Sequence, residues 1–416
     1  MLLATLRQRN FALLWSGGLI SMLGDWALIA AMPFYIYQQT GSALASGGLL
    51  MAYAAPAVLF GSVTGVFVDR WDRQQIMVVV NLVRAVLMLT LFLVPVFGWI
   101  WAIYVVAALE AMLGLFFQPA EAALLPRLVG DEHVLTANAL NALNDNLARL
   151  AGPALGALLV ALFGLPGVIV ADSLSYILSG LLIAGIDAPS KPHTPPGTES
   201  LQQGTASIRS VWSDWTAGLH LVRRQQVVSV LFVTLGVAAV ADGFNSALLV
   251  PFVQRVLGGA TREFAWLLTA QAVSGMGAGL LLPRASRVVA PAVLVGLSAG
   301  FAALLFLIAY TFPSLPLVLG LAMLLGVPSV GFYTGTRTLL QQHVADQYRG
   351  RVFGALGTTN ALLQIGALGL AGTLADRVGV APMLYVVVAL WFLTAGVALA
   401  RLPAAARIAA DSRVPQ

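Results

Sequence analysis

Twelve apolar runs divide this chain, each near the roughly 20 residues that a helix needs to cross a bilayer. They fall at about 11–37, 46–68, 76–97, 99–125, 137–163, 167–187, 227–252, 264–282, 290–310, 315–341, 350–374 and 378–401. Leu, Ala and Val follow one another in these runs without the alternation of a barrel strand, which leaves helices as the way to satisfy the backbone in lipid. Hydrophobic residues make up 59% and charged residues 9% of the 416 positions, where a soluble domain carries about 25% charged. The expected fold is an all-α membrane protein of twelve transmembrane helices.

The chain also repeats itself across its midpoint. Gly61, Gly65, Arg70 and Arg73 return 214 positions later (275 − 61) as Gly275, Gly279, Arg284 and Arg287. A second block pairs Asp131 and Gly164 with Asp346 and Gly379, at an offset of 215 (346 − 131). Such parallel repeats predict two pseudo-symmetric six-helix bundles, at 1–187 and 227–416. Between them, residues 188–226 begin with a linker holding Pro189, Pro192, Pro195 and Pro196. Ile208, Val211, Trp212, Trp215, Leu219 and Val222 then recur at helical spacing, which fits an amphipathic helix on the inner membrane surface or one packed under the bundle.

Most basic residues gather in the turns after even-numbered helices. Arg255, Arg262 and Arg377 fall on the other side, and Arg84, Arg149 and Arg337 within helices. By the positive-inside rule both termini and the middle loop are cytoplasmic. The net charge of +5 is then a property of these loops and not a nucleic-acid signal. Trp99 and Trp101 are placed to mark the outer interface.

Several chemistries have no residues to carry them. There is no cysteine, and His133, His193, His220 and His343 fall in loops, so neither a thiolate nor a membrane metal site is expected. No Gly-x-x-x-x-Gly-Lys phosphate loop is present. No nucleophile–base constellation is visible within the helices, so the chain does not read as an enzyme, and no cofactor is implied.

The loop after the second run resembles the major facilitator superfamily, whose signature there is Gly-x-x-x-Asp-Arg-x-Gly-x-basic-basic. Gly65, Asp69 and Arg70 match; Asp72 replaces the second glycine, and Arg73 with Gln74 alters the basic pair. Asn10-Phe11, Leu14-Trp15, Leu23-Gly24-Asp25-Trp26 and Thr40-Gly41-Ser42-Ala43 look like its macrolide-efflux and enterobactin-exporter branch. Leu125-Pro126-Arg127-Leu128, Ala137-Asn138-Ala139-Leu140 and Gly152-Pro153 continue the likeness. The resemblance implies a bacterial plasma-membrane transporter working by alternating access as a monomer. It also implies that Gly65, Asp69, Arg70 and Arg73 form a gating loop, with Asp69 meeting the start of helix 11 near Gly350 and Arg351. Gly152, Pro153 and Gly156 resemble the exporter signature of helix 5, with Ala148 and Ala157 in place of two of its glycines. Gly61 and Gly65, four apart on one face, are expected to let helices approach closely.

A charge in mid-membrane costs about 2.5–3.5 kcal/mol on insertion scales, so it marks a function by default. Asp25, Glu110 and Asp242 lie in helices that line the cavity in this family. Asp145 and Arg149, four apart, are spaced to pair, and Arg337 is a potential partner for a carboxylate. Asp172 is expected nearer the outer face, and Glu121 and Arg84 in the gating layer. A proton-coupled exporter needs a carboxylate that binds and releases a proton in the working range; Asp25, beside Trp26, is the first choice. Trp26, Tyr35, Phe116, Phe117, Tyr176, Phe244 and Phe332 are candidates to wall a ligand cavity. The reading is an exporter of a hydrophobic or amphipathic small molecule, such as a drug, macrolide or siderophore, against protons. An importer or lipid-flipping relative fits the same fold, and a non-transporting membrane scaffold is the reading from another class.

Overall fold

The computed structural model describes residues 5–68, 71–187, 222, 225–285, 289–344 and 346–411. Asp69, Arg70, Arg287, the middle linker and all but Val222 of the segment expected to be amphipathic lie outside the described residues. The described chain is helical, with no strand among its residues. The helices are α1 (Arg9–Thr40), α2 (Ala43–Val68), α3 (Arg73–Leu89) and α4 (Ile100–Val129). The run Val134–Ala184 breaks at Gly164 into α5 (134–163) and α6 (165–184). There follow α7 (Gln226–Pro251), α8 (Thr261–Ala285), α9 (Pro291–Thr311), α10 (Leu315–His343), α11 (Asp346–Val378) and α12 (Val380–Asp411). Among the described residues, ten helical segments are long and apolar enough to cross a membrane, with Val134–Ala184 among them. Counting the two arms of that segment separately, and adding α8, gives the twelve expected. Most helices run a few residues past their apolar runs, because the run marks only the part that lipid must solvate.

The second repeat is a repeat of backbone shape as well as of letters. Gly164 and Gly379 both have positive φ, 67° and 101°. Each makes the sharp link between two consecutive helices, α5 to α6 and α11 to α12. Glycine takes that conformation without the clash a Cβ brings.

The two departures from the loop signature have local structural roles. Asp72 is the N-cap of α3, its carboxylate accepting from the Gln75 N–H at 2.8 Å. The Gln74 amide donates to the Ile183 and Ile186 carbonyls, both at 2.9 Å, at the end of α6. These bonds tie α3 to the end of α6.

By contacts the chain forms two compact units: Met1–Ile36 with Ala52–Ser207, and Tyr37–Met51 with Ile208–Gln416. In the first, Leu14, Ile76, Met77, Val80, Ala120, Leu124, Ile183 and Ile186 form one buried cluster. Phe11, Leu125, Val129, Ala137 and Leu140 form another, with Trp15 and Leu128 against it. The Trp15 indole N–H donates to the Leu140 carbonyl at 2.9 Å, and the Asn144 amide donates to the Trp15 carbonyl at 2.8 Å. The Asn10 amide donates to the Asp187 carbonyl at 3.0 Å. Four of the resembling stretches thus meet in one packed seam of α1, α4 and α5.

In the second unit α7 and α9 pack on α12, α8 and α9 on α10, and α7 on α11. Gly326 lets α10 reach the α8 backbone, where a Cβ would lie 2.2 Å from the Gly275 nitrogen. A Cβ on Gly61, by contrast, would meet nothing within 4 Å, so the close approach expected there does not occur at that residue. Val86, Val96, Leu162, Phe163 and Leu181 stay largely exposed, as lipid-facing side chains do. Phe97 stacks on Trp99 and Trp101 lies tilted against Trp99 at the α3–α4 turn, all exposed, in the manner of an interfacial belt.

Candidate functional site

The first unit buries an unusual concentration of polar groups around the middle of α1. Glycines make the room. A Cβ on Gly24 would lie 2.2 Å from the Asp172 Oδ1 and 2.6 Å from the Ser175 Oγ of α6. On another face of α1, a Cβ on Gly152 would lie 2.4 Å from the Trp26 Cβ, and one on Gly156 2.5 Å from the Ala27 carbonyl oxygen. The turn bearing Asp25 is therefore clasped between α5 and α6. The helix-5 glycines expected to matter for export are the surface on which that turn rests.

Asp25 faces Tyr176. The tyrosine hydroxyl lies 2.5 Å from Asp25 Oδ1 and 2.8 Å from Glu110 Oε1. Tyr53 donates to the other Glu110 oxygen, Oε2, at 2.9 Å. A phenol carries one hydrogen, so Tyr176 donates to one carboxylate only. The geometry is that of two acids bridged by one hydroxyl, with Tyr176 fully buried and Glu110 6% exposed.

Arg84 supplies the positive charge. Its Nη2 donates to the Glu110 carbonyl oxygen at 3.1 Å, and its guanidinium carbon lies 5.3 Å from the centre of the Tyr176 ring. Gly114, four residues beyond Glu110, leaves it space: a Cβ there would lie 2.7 Å from Nη2. Asp172 is 1% exposed and accepts from Ser175 at Oδ1, while its Oδ2 and the Arg84 Nε have no hydrogen-bond partner among the described residues. Three carboxyls and one guanidinium share this buried region, and full ionisation would leave the acids in excess.

The other predicted residues separate into different surroundings. Asp145 and Arg149 form no ion pair: the ion pairs among the described residues are Arg9–Asp187 and Arg262–Glu263. Arg149 instead lies over the Trp26 ring of the neighbouring helix, at 5.0 Å. Glu121 accepts from Asn141 at 3.0 Å, joining α4 to α5. Arg84 belongs to the Tyr176 cluster and not to a gating layer with Glu121. In the second unit Tyr333 donates to Asp242 Oδ2 at 3.0 Å. Arg337, one turn along α10 from Tyr333, is exposed and makes no ion pair among the described residues. Phe244 and Phe332 are buried, the latter edge-on to Tyr333 and Trp391, so they pack between helices and do not wall a cavity. Among the described residues no group of three His, Cys, Asp or Glu is placed to hold a metal ion.

Asp25 and Glu110 read in the sequence as acids in apolar runs, but nothing in their spacing joins them to each other, to Tyr53 or to Tyr176. The available signal was glycine beside charge: Gly24 next to Asp25, and Gly114 one turn from Glu110.

Comparison with known proteins agrees with this architecture. The family described as Major Facilitator Superfamily matches residues 14–368. The MFS-type transporter YfiS of Bacillus subtilis is 26% identical over 90% of this chain and 88% of its own. Macrolide efflux protein A of Streptococcus pyogenes is 25% identical over 93% and 92%. The multidrug efflux pump Tap of Mycobacterium tuberculosis is 26% identical over 93% and 91%. Among solved structures, a bacterial homologue of the iron transporter ferroportin, in an inward-facing state, superposes with a TM-score of 0.75 over 95% of this chain and 99% of its own. At 17% identity it speaks to the fold alone.

Proposed function

The chain belongs to the Major Facilitator Superfamily, and on that premise we propose that it exports a hydrophobic or amphipathic small molecule in exchange for protons. It is an integral membrane transporter and not an enzyme. The observation that carries the proton-coupled reading is the single Tyr176 hydroxyl between Asp25 and Glu110. One hydrogen shared between two carboxylates would weaken both contacts, and a proton on either carboxyl would relieve this, which is why the bridge supports a transferable proton here. Asp25 rests on α5 through Gly152 and Gly156, and on α6 through Gly24, so a shift of either helix alters the contact. That couples protonation to helix movement. Outward direction is supported by the helix-5 Gly152-Pro153-x-x-Gly156 pattern and by the relatives named as macrolide and multidrug efflux proteins. Both termini are assigned to the cytoplasm on the distribution of arginines.

The test uses everted membrane vesicles, with ethidium and a macrolide as probes. Uphill movement of at least one probe is expected with an imposed pH gradient and is abolished by an uncoupler. Asp25→Asn is expected to lose gradient-driven transport while the protein remains folded in the membrane, and Asp145→Asn to retain it. Transport that persists without a pH gradient or membrane potential overturns proton exchange. Full gradient-driven transport by Asp25→Asn removes Asp25 from the mechanism.

A further inference from the structure

The tip between α1 and α2 does not group with the rest of those helices. Tyr37–Met51 counts with the second unit, while residues on either side count with the first. Proline lies near each crossing point, Pro33 in α1 and Pro56 in α2. Each removes a backbone donor and gives its helix a place to bend.

The tip is held by an acid from another helix. Asp376 stands in the last turn of α11, where its own helix dipole disfavours a negative charge. Its Oδ1 accepts from the Ala43 N–H at 2.7 Å, and its Oδ2 accepts from the Ser42 hydroxyl at 2.5 Å and the Leu44 N–H at 3.3 Å. Ser42 in turn accepts the Ala45 N–H at 3.1 Å. The serine and the aspartate together satisfy the first free N–H groups of α2, a capping task usually done within one helix. Arg255 donates to the Gly41 carbonyl at 2.7 Å and lies over the Tyr37 ring. Small residues bring the backbones together: a Cβ on Gly372 would lie 2.5 Å from the Leu44 Cα, and one on Gly47 3.3 Å from the Ala247 Cβ.

We propose that Asp376, by capping α2 from α11, is a latch that holds the α1–α2 tip on the second unit and must release it in each transport cycle. The site is polar and Asp376 is exposed, so water can replace each bond as it breaks. That suits a contact made and broken repeatedly, which a buried apolar seam of the same extent does not. The latch is independent of the proton-carrying cluster: it uses hydrogen bonds to fixed backbone donors, and it lies in the other unit.

The native chain has no cysteine, so single-cysteine reporters are available. Ser46→Cys places a near-isosteric thiol on the first turns of α2, at a position 3% exposed. Purified protein in detergent is reacted with a maleimide, and the labelling rate is compared with and without Asp376→Ala. The expected result is labelling about tenfold faster without the carboxylate, equivalent to about 1.4 kcal/mol of lost closure. Asp376→Asn, which keeps one acceptor, is expected to fall between. Thr394→Cys, fully buried in α12, reports on packing of the second unit and is expected to stay unreactive. Unchanged Ser46→Cys labelling in Asp376→Ala overturns the proposal. If Thr394→Cys also becomes reactive, the variant has lost its packing, and Ser42→Ala decides: faster Ser46→Cys labelling supports the latch, and an unchanged rate overturns it.

Discussion

Tyr176 is the residue on which the proposed proton site turns, and it can be altered with little change in shape. Its ring is fully buried, so Tyr176→Phe keeps the packing and removes only the hydroxyl. Asp25 then loses its donor, and the bridge to Glu110 is gone. The cost to stability is the roughly 1–3 kcal/mol of a buried polar group left unsatisfied. The expected outcome is folded protein whose gradient-driven efflux falls at least about tenfold, which corresponds to about 1.4 kcal/mol on the coupled step. Parallel assays of efflux and proton uptake in proteoliposomes check it; normal coupling in this variant would assign the proton elsewhere. The acids of this site were legible as charges inside apolar runs. Arg84 was legible as a charge too, but not its place beside Tyr176, because position along α3 says nothing about which helix faces it; the space left by Gly114 does.

At the scale of the helix, glycines that look alike in sequence divide by what faces them. On Gly156 a Cβ would meet the α1 backbone, with the Ala27 oxygen at 2.5 Å and the Ala27 Cα at 2.8 Å, and backbone cannot swing aside. Gly156→Ala is therefore expected to cost about 1–3 kcal/mol, as overpacking does. It should also displace the turn that carries Asp25. Gly61→Ala, where a Cβ meets nothing within 4 Å, is expected to be neutral or to stabilise α2 by up to about 1 kcal/mol. Thermal unfolding of the two purified variants in detergent separates them; equal melting temperatures would refute the distinction. The spacing of small residues was readable in the chain, and their helical state followed from the apolar runs. Which glycine has a partner was not readable, because two four-residue spacings present the same pattern to a neighbour whose position the sequence does not specify. The turn glycines Gly164 and Gly379 were legible in a different way, since their recurrence at one offset matched a shared positive φ.

For the whole molecule, the two repeats written along the chain and the two units formed in space do not have the same membership. The sequence repeat divides the chain at the middle loop, whereas contacts assign Tyr37–Met51 to the second unit. That exchange could not be seen from periodicity, because it rests on contacts between residues more than three hundred positions apart, such as Ser42 with Asp376 (376 − 42 = 334), or some two hundred apart, such as Gly47 with Ala247. It has a consequence for a divided protein. Residues 1–196 and 197–416, co-expressed as separate chains with the cut in the linker, are expected to co-purify. The first chain carries the Tyr37–Met51 tip, and the second carries α7 and α11, on which that tip is packed by Gly47, Ala247, Leu44 and Gly372. Association should weaken when Asp376→Ala is placed in the second chain, and weaken further when Gly372→Leu is added, since a side chain there collides with the Leu44 backbone. Affinity capture of a tag on one chain, followed by detection of the other, measures this directly. Co-purification undiminished in the double variant would mean that the tip contributes nothing to joining the two chains.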